Sequence, residues 1–162
     1  MLEPNEPQGI GGWLILPALA LIFTPIRMGF QFYRDMLPNL TPQIWNTLID
    51  PTSTAYHPLW APLIVFEIAV NLAQFIFTLW LAWIFFKKSS QTPKFYIIWL
   101  ILFALIRIID ALLVKQIPMA TAQSVGTETI KDITRSIIGA AIWIPYFLVS
   151  KRVKNTFIEQ TS

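Results

Sequence analysis

Residues 60–86 read WAPLIVFEIAVNLAQFIFTLWLAWIFF, and this stretch decides the fold. A hydrocarbon core about 30 Å thick needs roughly 20 largely apolar residues in helix. Trp60 to Phe86 exceeds that length and can span with tilt. From Ile76 to Phe86 no polar stripe recurs at the helical period, so the helix has no face to offer water. Ile97 to Ile106 behaves the same way. The stretch therefore reads as a membrane helix and not as the amphipathic helix of a soluble bundle.

Working outward, three more stretches meet or approach the spanning length: 12–32 (GWLILPALALIFTPIRMGFQF), 95–114 and 133–149. The expectation is an all-α chain, one membrane domain over 1–162, built as an integral membrane four-helix bundle. Composition agrees. The chain of 162 residues is 55% apolar and 13% charged, against about 25% charged in soluble domains. Its mean hydropathy is +0.57.

The same inventory closes several functional classes. Without cysteine, and with His57 as the one histidine, the chain offers no disulfide, thiolate nucleophile, iron–sulfur ligand set or multi-His metal site. A net charge of +3, with basic residues in short clusters, lacks the broad footprint that nucleic acid requires. Gly9, Gly11 and Gly12 lead into an apolar run without the lysine of a phosphate-binding loop. No cofactor and no metal are expected.

The first span has Glu3 and Glu6 ahead of it instead of a basic leader, and no small-residue cleavage site follows, so it is expected to remain as a helix. Pro17 and Pro25 are expected to kink it, with Thr24 placed to satisfy a freed carbonyl. Orientation follows from lysine and arginine in the connections. Lys87, Lys88 and Lys94, with Lys151, Arg152 and Lys154, fall on one side; Arg34, Lys115 and Lys131 fall on the other. The bias predicts both termini on the cytoplasmic side of the membrane.

In the first outer loop, Thr41-Pro42 reads as a cap followed by proline at the first helical position. Ile44, Trp45, Leu48 and Ile49 then share a face until Asp50-Pro51, which predicts a short interfacial helix. Tyr56, His57 and Trp60, with Trp45, fit an aromatic interfacial belt. In the second outer loop, Thr127 is a candidate cap for a helix that starts before the fourth span. Trp80, Trp83, Trp99 and Trp143 are expected to face lipid or join the belt, and not to form a ligand cage.

The charges within the spans are the candidate functional residues. Glu67, Asn71 and Gln74 lie at i, i+4 and i+7 on one face of the second span. Arg107 and Asp110 share a face of the third, Arg27 lies late in the first, and Arg135 early in the fourth. Ionisable groups in a span normally face the bundle interior or a watery cavity. With 1.5 Å per residue these groups sit roughly 6–10 Å below the outer boundary, in one layer. The expected pairings are Glu67 with Arg107 or Arg27, and Asp110 with Arg107 or Arg135. Asn71 and Gln74 are expected to bridge helices. Gly139, Ala140 and Ala141, with Ala104 and Ala111, permit close helix approach, and Pro145 is expected to bend the fourth span.

Three stretches carry a family likeness: Gly9 to Leu14 leading into Pro17, the Tyr56-His57-Pro58 entry to the span with Glu67 and Asn71, and the closing Tyr146 to Phe157. In these the chain resembles the bacterial inner-membrane family known as domain of unknown function 2569, small proteins with four spans. The resemblance implies location and architecture, and transfers no activity and no functional residues.

Two functions compete. The first is a non-enzymatic membrane subunit or scaffold that packs beside another membrane protein, lipid or a second copy; small size and a basic inner tail suited to anionic headgroups support it. The second is a small transporter or channel using the charged layer for an anion or proton, with no inverted repeat to support it. An intramembrane enzyme lacks any nucleophile–base spacing.

Overall fold

The computed structural model describes residues 8–116 and 125–157, with side chains from Thr129 onward in the second segment. All regular structure among these residues is helical: α1 (Ile15–Gln31), α2 (Pro42–Ile49), α3 (Trp60–Phe86), α4 (Thr92–Val114), α5 (Val125–Val149) and α6 (Lys151–Thr156). Four helices are long and apolar enough to cross a membrane: Gly12–Leu40, Trp60–Phe86, Thr92–Val114 and Thr129–Val149. The protein is an all-α membrane four-helix bundle.

The first spanning helix runs further than its apolar composition implies. After α1 the chain continues helically through Phe32–Met36 and Leu37–Leu40 with altered winding, instead of stopping at Phe32. Pro25 sits inside α1 and Pro145 inside α5. The Thr24 hydroxyl makes no hydrogen bond among the described residues; Thr24 lines a cavity instead. The fourth helix starts at Val125, well before the expected entry at Ile133, while the side chain of the candidate cap Thr127 lies outside the described residues.

α2 forms where the cap and proline predict it, but Thr41 does not cap with its side chain. Its hydroxyl donates backward to the Pro38 carbonyl at 2.9 Å. Asp50 ends the helix: its Oδ1 accepts from the Thr52 N–H at 2.9 Å and the Thr52 hydroxyl at 2.8 Å. The backbone bond first, then the hydroxyl, holds this carboxyl below its ordinary range.

α1 packs on α3, α3 on α4, and α4 on α5. The α3–α4 hairpin closes tightly. Lys88 takes a left-handed φ of 56°, and the Ser89 N–H reaches back to the Ile84 carbonyl at 3.0 Å. The buried Thr92 hydroxyl donates to the same carbonyl at 3.0 Å. Around this end the four spanning helices and the segment from α6 to Phe157 contribute to one core, in which Leu14 and Leu21 meet Leu81, Phe85, Tyr96 and Phe147. Tyr96 stacks on Phe147 at 4.3 Å between ring centres, and Phe85 meets Phe157 edge-on at 5.2 Å. Trp99, expected to face lipid or join the belt, is buried here, and its indole N–H donates to the Thr78 hydroxyl at 2.8 Å. Trp83, by contrast, is 55% exposed as expected of a lipid-facing ring.

Candidate functional site

Towards the opposite end, the loop face, the helices separate around polar space. A cavity of about 490 Å³ is lined by Arg27, Gln31, Arg34 and Asp35 of the first helix, Arg107 and Asp110 of α4, and Thr129, Asp132 and Arg135 of α5. Two smaller cavities adjoin it. One of about 160 Å³ reaches Glu67 and Asn71 on α3, and one of about 130 Å³ reaches down to Trp99 and Phe103. Gln31 and Arg107 line all three. The charged layer expected from the spacing is therefore a connected set of cavities, with a wall from every spanning helix.

The pairings within it differ from those expected. Arg27 lies 3.6 Å from Asp132 Oδ1, and Arg135 donates to the same oxygen at 3.0 Å. Neither arginine pairs with Glu67 or Asp110. Two guanidinium groups, each with five N–H donors, thus share one carboxylate. Arg107, half-buried, makes no ion pair within 4 Å among the described residues. Glu67 and Asp110 line the same cavity as Arg107. Asp110 Oδ1 is buried without a hydrogen-bond partner among the described residues. Arg34 and Asp35 form a separate forked pair, at 2.6 and 2.9 Å.

The two amides also depart from expectation. Asn71 lines the cavity, but its Nδ2 donates to the Glu67 carbonyl of its own helix at 2.8 Å, so it bridges no helices. Gln74 lies in the packed half, 5% exposed, and neither amide atom has a partner among the described residues. The interhelical polar contact is made one turn further on, by Thr78 to Trp99. Of the loop aromatics, the Trp60 indole donates to the Ala55 carbonyl at 3.1 Å, and His57 Nδ1 accepts from the Leu59 N–H at 3.3 Å. Both bonds hold the turn into α3, with Tyr56 partly exposed and Trp45 half-buried. Neither Trp45, Tyr56, His57 nor Trp60 lines the charged cavities.

Asp132, just ahead of the apolar run 133–149, was not among the expected charged residues of the layer. Its signal was present: it stands three residues before Arg135, so an earlier helix start puts both on one face. Gln31, four residues after Arg27, was legible by the same rule.

At the terminal face the two ends of the chain meet. Arg152 lies against the backbone of Gly11 and Gly12, where a Cβ on Gly11 would stand 2.7 Å from Arg152 Nη1. The Thr156 hydroxyl donates to the Gly9 carbonyl at 3.2 Å. The glycine run and the basic tail thus form one contact, and the family model described as "Protein of unknown function (DUF2569)" matches residues 7–158, including both. The chain belongs to the DUF2569 family. It is also 30% identical, over 157 residues, to Inner membrane protein YdgK of Escherichia coli (strain K12), covering 97% of this chain and 99% of YdgK. No solved structure matches it. As a DUF2569 protein with an inner-membrane relative, the chain has its four apolar helices in the setting their composition requires.

Proposed function

We propose that this protein is a non-enzymatic inner-membrane subunit, with both termini cytoplasmic, that binds an anionic group of a lipid or of a membrane partner in the arginine cavity. In that orientation the cavity opens on the periplasmic side, and α2 lies along the outer interface. The single observation that carries this reading is the convergence of Arg27, Arg107 and Arg135, from three helices, on a cavity where Asp132 serves two of them. Guanidinium donors left over in a partly dehydrated space suit a phosphate or carboxylate, which accepts forked hydrogen bonds.

The test is retention of anionic phospholipid by the purified full chain, followed by native mass spectrometry. Wild type keeps phosphatidylglycerol over phosphatidylethanolamine, and Arg107→Ala and Arg135→Ala lose that preference. Equal retention of both lipids by all three proteins, with no protein partner co-purifying, overturns the reading. Fusions that report cytoplasmic or periplasmic location at each terminus test the orientation separately.

A second reading, transport of an anion or proton, draws on the carboxyl groups of Glu67 and Asp110, which line one cavity beside Arg107. Against it stands the aromatic packing below, where Trp99, Tyr96 and Phe147 close the bundle. Liposomes containing the protein are therefore expected to show no proton or phosphate flux. Flux abolished by Glu67→Gln would establish transport in its place.

A further inference from the structure

A second, apolar groove joins the charged cavities from the side. It lies between α1 and α3, has a volume of about 220 Å³, and is lined by Met28, Gly29, Phe32, Asn71, Leu72 and Phe75. Met28, Phe32 and Asn71 also line the cavity that holds Glu67 and Arg107. The groove is open outward: Leu72 is 57% exposed, and nothing stands within 4 Å of where a Gly29 Cβ would be. The trough therefore adjoins, through Met28, Phe32 and Asn71, the cavity that bears Arg107 with Asp35, Glu67 and Asp110, and through Met28 the one that bears Arg27, Arg107 and Arg135 with Asp132. One end suits hydrocarbon and the other an anion.

We propose that the occupant is an anionic phospholipid that enters sideways from the bilayer between α1 and α3. Its phosphate takes the donors of Arg27, Arg107 and Arg135, and one acyl chain lies in the trough over Gly29. This rests on the anion-binding reading above and adds the ligand's class and its route. The charge match selects the headgroup. Gly29 selects the chain, since the absent side chain is what leaves the trough open beside Met28 and Phe32. A free anion would need the arginines and have no use for the trough, so the two halves of the site can be broken one at a time.

The experiment measures binding of two probes to the full chain in detergent: phosphatidylglycerol by native mass spectrometry, and inorganic phosphate by calorimetry. Gly29→Phe fills the trough without touching an arginine and is expected to weaken phosphatidylglycerol about tenfold while phosphate binding stays as in wild type. Leu72→Trp, which crowds the trough from α3, repeats the test should Gly29→Phe misfold, and thermal melting of each variant identifies misfolding. Arg107→Ala is expected to weaken both probes. If both trough variants fold and keep wild-type affinity for phosphatidylglycerol, the lipid proposal is overturned and the anion reading survives. If Arg107→Ala changes neither probe, the anion reading falls, and the lipid proposal with it.

Discussion

The two halves of the bundle are built on opposite terms. At the terminal face, the four spanning helices close on aromatic and aliphatic side chains: Phe85 and Leu81 are fully buried, Tyr96 stacks on Phe147, and the chain through α6 inserts Val153 and Phe157. At the loop face the same helices enclose polar space and share charges loosely, with Arg27 and Arg135 on one oxygen of Asp132. Lipid tails are as apolar as leucine, so burial alone drives little association in a bilayer, and close packing must supply it. The contrast teaches that stability is concentrated in one half, which leaves the other free to hold charges that contribute little to folding. Buried or half-buried ion pairs are weak evidence for stability.

Substitutions can break this contrast, and the largest effect is expected in the packed half. Phe85→Ala removes a fully buried ring that touches Tyr96 and Phe157. It should cost about 3 kcal/mol, read as a fall in melting temperature in detergent; an unchanged melting point would show that the terminal half is not where stability lies. Gly12→Ala comes next. Gly12 has a φ of +54° beside Arg152, and a side chain in that left-handed conformation costs about 1–2 kcal/mol. The same melting assay should show an intermediate loss.

Thr78→Val tests the side-chain-to-side-chain hydrogen bond between α3 and α4 in this half, Trp99 to Thr78 at 2.8 Å. Leaving the indole N–H unpaired should cost about 1 kcal/mol, measurable by urea-assisted unfolding. The smallest effect is expected in the hollow half. Arg107→Gln should shift stability by less than about 0.5 kcal/mol, since the cavity admits water and no ion pair within 4 Å is lost. A loss from Arg107→Gln as large as that from Phe85→Ala would make the charged layer a structural lock, and the division of labour would fail.

Much of this was legible along the chain. The four helices follow from apolar runs without a polar stripe, and the polar layer follows from Glu67, Asn71, Arg107 and Asp110 recurring at helical spacing. Local spacing says which residues share a face of one helix. It does not say which face meets which, and the misread residues divide along that line. Asp132 looked like a loop residue because the apolar run begins after it, yet α5 starts earlier and carries it into the cavity. Trp99 sits in an apolar run and offers no local sign that it turns inward to Thr78.

What the sequence by itself determined is the environment and the architecture: with 13% charged residues and four long apolar runs, the backbone can satisfy its hydrogen bonds in a bilayer only as spanning helices. What the tertiary structure alone decided is the partnering. It set Arg27 on Asp132, Glu67 and Asp110 on one cavity, Arg152 against Gly11 and Gly12, and an open trough between α1 and α3 beside the cavity of Arg107. The physical reason is that each of these contacts joins residues far apart in the chain, whose meeting depends on helix rotation and relative height. Those are settled by how the side chains of the packed half interlock, and periodicity carries no record of them.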